Sequence, residues 1–205
     1  ENPLNKQAYI EVAVPPDTQY QKITIQSMAP APDALYKDDD GNWLAKYILT
    51  ARQRLDVRLI GSVQLFAEAR GDYHYTDVQL EENKKATAVW QTEDPAIKEL
   101  ALKLKTPRAI YDYIVSNLSY DYERAKPNVM RLGAATALQN PKNAICMEFT
   151  DLFIALARAA GIPAREINGF AYTENPQVQP LSLVFICVHA LLYVEAPCQI
   201  LELAL

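Results

Sequence analysis

From Ala8 to Trp90, apolar and polar positions alternate with a period of two. In AYIEVAV, Ile10, Val12 and Val14 fall on one side of an extended strand and Glu11 on the other. Pro15-Pro16-Asp17 interrupts this run. Ile23 and Ile25 restart it within KITIQS, and Pro30 and Pro32 stop it again. Asp40-Gly41 provides a turn before WLAKYIL, and Gly61 punctuates the run from Leu55, Val57 and Leu59 to Val63 and Leu65. Short strands spaced by turn signals predict an all-β, sandwich-like module over residues 1–92.

After Trp90 the period lengthens. Asp94-Pro95 reads as a helix cap followed by proline at the first helical position, and Ile97, Leu100, Ala101 and Leu104 then form one stripe. Thr106-Pro107 repeats the signal ahead of Ala109, Ile110, Tyr113 and Ile114. A short helix is expected over Leu132 to Leu138. A longer one runs from Cys146 to Ala160, with Phe149, Leu152, Phe153 and Leu156 on one face; Gly161 ends it and Pro163 forbids its resumption. Strands follow over Ala164 to Tyr172 and Leu183 to Glu195. Ala196-Pro197 is read as a turn, with Gln199 to Leu205 pairing back. In that first strand Arg165 and Glu166 should point to opposite faces. Around that turn Cys187 and Cys198 cannot stand opposite each other, so no disulfide between them is expected. Residues 93–205 thus form an α+β module.

Composition narrows the function. The chain has 205 residues, half of them apolar, enough to bury a core. Twenty basic against 25 acidic side chains give a net charge of −5, which argues against a nucleic-acid partner. The longest apolar stretch, Leu181 to Val194, is broken by Ser182 and His189 and falls short of the ~20 residues of a membrane span. No export signal is present and the chain starts at Glu1, so it reads as a mature or excised piece. The acidic run Asp38-Asp39-Asp40-Gly41-Asn42 lacks the glycine position and closing glutamate of a calcium loop, and reads as a solvated turn.

Cys146, Cys187 and Cys198 do not make a disulfide framework, and with only His74 and His189 no zinc site is expected. Cys146 stands out because it opens the long amphipathic helix. Free N–H groups there give a positive potential that favours thiolate, and they can donate to an oxyanion on a substrate carbonyl. A small buried hydrophobe is the bland alternative. His189, inside an apolar strand, is a candidate base or a satisfied core histidine; His74, in GDYHYTD, reads as surface.

The segment AICMEFTDLFIALARAAGIPAREINGFAY resembles the core of the transglutaminase-like superfamily, whose members carry a nucleophilic cysteine opening a helix and a Gly-Ile-Pro-Ala-Arg run into a strand. Cys146, Ala157-Arg158, Gly161-Ile162-Pro163-Ala164-Arg165 and Gly169 match in order, and AIYDYIVSNLSYDY and LGAATAL resemble the lead-in helices. The β-rich segment is similar to accessory modules ahead of this core in some bacterial and archaeal members, which are often exported or membrane-tethered.

The resemblance implies an α+β, papain-like architecture: a helix-borne cysteine packed on an antiparallel sheet. It implies acyl transfer on a protein or peptide amide, by transamidation or hydrolysis, with Cys146 and His189 catalytic and no cofactor or metal. The family's third catalytic residue is an aspartate, usually before a proline, and no Asp-Pro follows His189 here. Glu202 falls near that place if the hairpin is tighter than usual; otherwise the chain stops short of it. Leu191 stands where the family has tryptophan, and Ala144 where it has glycine. These departures keep a second reading open, a catalytically impaired or inactive binding module on the same fold. The catalytic reading predicts that Cys146 is the most readily alkylated of the three thiols.

Overall fold

A computed structural model of the chain describes residues 1–38, 41–71, 75–126, 129–171, 181–188 and 199–201. Packing divides the chain into two compact units, Glu1–His74 and Tyr75–Leu205. Residues 75–92 thus fall within the second unit.

The first unit is built from strands β1 (Ala8–Val14), β2 (Gln21–Ala29), β3 (Ala34–Lys37), β4 (Trp43–Leu49) and β5 (Arg58–Leu65). One antiparallel sheet has the order β1-β4-β3, with Val12 opposite Ala45 and Tyr36 opposite Leu44. Alternation sends Val14, Ala45 and Tyr47 inward, where Ile10, Met28, Leu55 and Val57 pack around them. The second sheet is a two-stranded ribbon of β2 and β5, with a register shift between Ile25 and Ser27. Sequence reading gave no strand at Ala34–Lys37: four residues behind two prolines carry little local signal, and pairing with β4 creates this one. At the acidic run Asp38 accepts from the Asn42 N–H at 2.8 Å, and Asp39 and Asp40 lie outside the described residues.

The second unit contains helices α1 (Asp77–Glu82), α2 (Pro95–Leu104), α3 (Pro107–Asn117), α4 (Ala134–Gln139) and α5 (Cys146–Ala159). Strands β6 (Ala164–Ala171), β7 (Leu181–Val188) and β8 (Gln199–Leu201) follow. The expected caps hold: Asp94 accepts from the N–H groups of Ala96 and Ile97, and Thr106 from that of Ala109. Helix α1 departs from the period-two reading of this stretch. Its signal is the Thr76-x-x-Gln79 capping box, in which each side chain bonds the other residue's backbone.

Helix α5 is the axis of this unit. It packs against α2, α3 and α4 and against β6 and β7, so every residue from Glu148 to Arg158 is buried. Gly161, at φ +80°, turns the chain out of the helix in a conformation other residues rarely adopt. The sheet is antiparallel with order β6-β7-β8. Pairing runs without a shift from Ala164↔Val188 to Ala171↔Leu181, so Arg165 and Glu166 alternate across β6 as expected.

The β7–β8 pairing departs from the expected register. Cys187 stands opposite Ile200 and Val188 opposite Gln199, positions equidistant from residues 193–194 rather than from Ala196-Pro197. The ten positions between the paired ends, 189–198, which include Ala196-Pro197, lie outside the described residues. Cys198 lies outside the described residues.

Candidate functional site

Cys146 occupies the first position of α5 and is half-buried. Ile145 before it is extended and has no side chain able to cap the helix. The approach to the cysteine is fixed instead by a neighbouring segment. Ser119 N–H donates to the Pro141 carbonyl and Asp121 N–H to the Ala144 carbonyl, each at 2.8 Å, and Tyr120 bridges Ala144 in parallel. This pairing lays the Tyr120 ring beside Cys146.

The phenol of Tyr120 is pushed above its ordinary value, first by burial and then by the neighbouring sulfur of Cys146, while the Cys146 backbone N–H pulls the other way. The Tyr120 phenol thus lies close to both polar groups of the cysteine. Its ring lies 4.8 Å from that of Tyr122 and 6.3 Å from that of Phe149, centre to centre.

Two buried carboxylates sit beneath this corner. Glu148, two residues after the cysteine, accepts from Ile145 N–H at 3.0 Å, Leu132 N–H at 2.9 Å and both terminal nitrogens of Arg124 at 3.2 and 3.4 Å. One turn on, Asp151 accepts from Trp90 Nε1 at 2.8 Å and from Arg131 Nε at 3.0 Å, and Arg131 also reaches Glu166 on β6 at 2.7 Å. Burial pushes the Asp151 carboxyl up while Arg131 and Trp90 hold it down; Arg131 is held above its ordinary value, chiefly by Asp151. We read the pair as ionised near neutral pH, because a forked guanidinium and an indole N–H answer the carboxylate directly.

Of the two residues expected to carry catalysis, Cys146 is placed as described; His189 lies outside the described residues, as do His74 and Glu202. Cys187 lies in β7, opposite Arg165. Sequence reading passed over Tyr120, Arg124 and Glu148. Glu148 had a usable signal, an acidic residue at the third position of a helix, where a carboxylate reaches back to the cap. Tyr120 had none, because only the non-local pairing with Ala144 brings it to the cysteine. Among the described residues no group of three histidine, cysteine, aspartate or glutamate side chains could hold a metal, and no helix is long and apolar enough to cross a membrane.

Two solved structures share the fold. A candidate cysteine protease from Cytophaga hutchinsonii superposes with a TM-score of 0.68 at 17% identity, covering 97% of this chain and 72% of its own. The periplasmic domain of TgpA from Pseudomonas aeruginosa gives 0.54 at 15% identity, covering 96% of this chain and 69% of its own. No curated protein matches. The core model of the transglutaminase-like superfamily matches residues 70–196, a span that takes in α1 to α5, β6, β7 and Cys146. The chain belongs to the transglutaminase-like superfamily.

Proposed function

We propose that the protein is a cysteine acyl-transfer enzyme acting on protein or peptide amides, with its chemistry in the second unit and Glu1–His74 as an accessory β module. The observation that carries this reading is a half-exposed cysteine on the first turn of α5, beside which the pairing of Tyr120 with Ala144 sets a tyrosine. Cys146 gives its proton to His189, and its sulfur bonds to the amide carbonyl carbon. N–H groups of the first helical turn and the Tyr120 hydroxyl donate to the oxyanion. The C–N bond then breaks, and the amine leaves with the proton held by His189. An amine or water attacks the thioester, losing a proton to His189, and the thiol is restored. Which acceptor wins depends on how well the site excludes water.

A second reading, the catalytically inactive module, is favoured by one observation. β7 brings Val188 opposite Ala164, whose carbonyl accepts from Arg158 in the last turn of α5 at 2.8 Å. Cys146 is twelve positions earlier on that helix (158 − 146), about 18 Å along its axis. A Cys146–His189 pair requires the chain after Val188 to return to the first turn.

Alkylation of the intact protein with iodoacetamide near pH 6.5, mapped by mass, separates the readings. The catalytic reading expects Cys146 to react faster than Cys198 and Cys187. It also expects His189→Ala to slow Cys146 about tenfold, in the range of one general base, and to leave Cys198 unchanged. If Cys146 reacts no faster than Cys198, or ignores the His189 change, the inactive module is the better account.

A further inference from the structure

Glu148 is fully buried, yet it is not one of the apolar contacts that hold α5 in its core. Its two oxygens accept four hydrogen bonds, which saturates a carboxylate. The donors come from three segments distant from one another in sequence. Ile145 N–H belongs to the residue before the cysteine, and Leu132 N–H to the loop ahead of α4. The Arg124 guanidinium comes from the turn that follows Tyr120. Arg124 itself donates onward to the carbonyls of Asn143 and Met130. The turn that carries it is closed by Asp121, whose Oδ1 accepts from the N–H groups of Glu123 and Arg124 at 3.0 and 3.3 Å.

One carboxylate therefore grips both arms of the site. Through Ile145 it fixes the backbone entering Cys146; through Arg124 and the Asp121 turn it fixes the backbone leaving Tyr120. Stability alone does not account for it, because a buried ion pair repays little more than its own desolvation and a well-packed apolar pair does as well. Its return is geometry: a nucleophile and a neighbouring hydroxyl held in one arrangement.

We propose that Glu148 is a positioning residue, which through Ile145 N–H and Arg124 holds the sulfur of Cys146 against the hydroxyl of Tyr120. This rests on the acyl-transfer reading, in which that sulfur is the nucleophile. Asp151 supplies the internal control. It is equally buried on the same helix and also paired with an arginine, but its partners Arg131 and Trp90 touch neither Ile145 nor the turn after Tyr120.

The test is a double-variant comparison on the full chain, reading the rate of Cys146 alkylation at neutral pH alongside thermal unfolding. Glu148→Gln and Tyr120→Phe should each slow Cys146 about tenfold, the scale of a misplaced reacting group. The double variant should be little slower than either alone, because both changes act through one hydroxyl. Asp151→Asn should lower the unfolding temperature as much as Glu148→Gln and leave the Cys146 rate within about twofold of the parent, because Arg131 and Trp90 bond neither Ile145 nor the Asp121 turn and the two sites share no partner. Should Glu148→Gln not fold, Arg124→Lys keeps the charge and removes the fork, and is expected to slow Cys146 in the same non-additive way.

Multiplying effects in the double variant overturn the proposal, since a general loosening of the fold gives that result. So does an unchanged rate in both folded Glu148 and Arg124 variants. Failure of the underlying reading is seen elsewhere, in the parent protein. There Cys146 would react no faster than Cys198, and the positioning role would fall with it.

Discussion

Strand β5 and helix α5 carry similar apolar material and end in opposite environments. RLIGSVQL in β5 contains Leu59, Ile60, Val63 and Leu65, yet all eight of its residues are exposed. CMEFTDLFIALARA in α5 contains a glutamate, an aspartate and an arginine, yet eleven successive residues are buried, charges included. The difference lies in how many layers meet each element. Among the described residues β5 pairs only with β2, and a two-stranded ribbon buries little of its own faces. α5 has three helices and two strands around it, so even its polar faces lose contact with water and must find partners inside. Glu148 and Asp151 find arginines; Arg158 donates to the carbonyls of Ala164 and Lys85. Composition selects what can be buried, whereas the surrounding layers decide what is.

If that contrast is right, truncating α5 is the costliest change. Phe153 is fully buried at its centre, and Phe153→Ala should destabilise the second unit by roughly 3–5 kcal/mol through lost burial and the cavity left behind. Trp43 and Trp90 are the only tryptophans, one in each unit, so a Trp43→Phe background leaves Trp90 as the reporter of denaturant unfolding in the second. A loss below 1 kcal/mol would mean that the layers around α5 are not closely packed. Asp151→Asn comes next, at about 2–3 kcal/mol, because Arg131 and Trp90 lose a charged acceptor away from water. The same unfolding curves measure it, and an effect under 0.5 kcal/mol would place water at that pair.

Much of this was legible beforehand, and what escaped follows from the same contrast. Local signals gave the caps at Asp94 and Thr106, the end of α5 at Gly161 and Pro163, and the cysteine at its start, since each depends on residues within a turn of one another. The period assigned Phe149, Leu152, Phe153 and Leu156 to one buried face. It could not foresee that the opposite face is buried too, because that depends on β6 and β7 arriving from elsewhere in the chain. Tyr120, Arg124 and Arg131 were missed for this reason: each meets its partner across at least twenty positions of sequence. β3 and the β7–β8 register are likewise products of non-local pairing, which composition near Ala34 or Ala196 does not encode.

The other side of the comparison is tested by a small effect. Leu65 is 73% exposed at the end of β5, so Leu65→Ser removes almost no buried area and should change the stability of the first unit by less than about 0.5 kcal/mol. Trp43 reports it in a Trp90→Phe background. A loss above 2 kcal/mol would show that the ribbon is covered in solution, and the contrast with α5 would then be one of partners present rather than of layers built.

The smallest effect concerns a polar contact that the first unit leaves at its surface. Tyr36 on β3 donates its hydroxyl to the Glu11 carboxylate on β1, reaching across β4, and this bond raises the phenol to about 12, with slight burial and the carboxylate charge adding. The sign follows from the folded value lying above the ordinary 10. The bond's contribution is complete below pH 10 and is lost as pH rises through about 12. Because the pair is open to solvent, that contribution is small, in contrast to the buried carboxylates of α5. Burial also raises Tyr47 and Tyr120, so substitution makes the assignment: in an absorbance titration of tyrosinate, Tyr36→Phe should remove one late component, a phenol ionising at about 12, and leave the other late phenols in place. Glu11→Gln should bring it back toward 10, since the charged acceptor is its main cause. If the late component survives Glu11→Gln, another environment raises it, and the surface contact across β4 does not hold in solution.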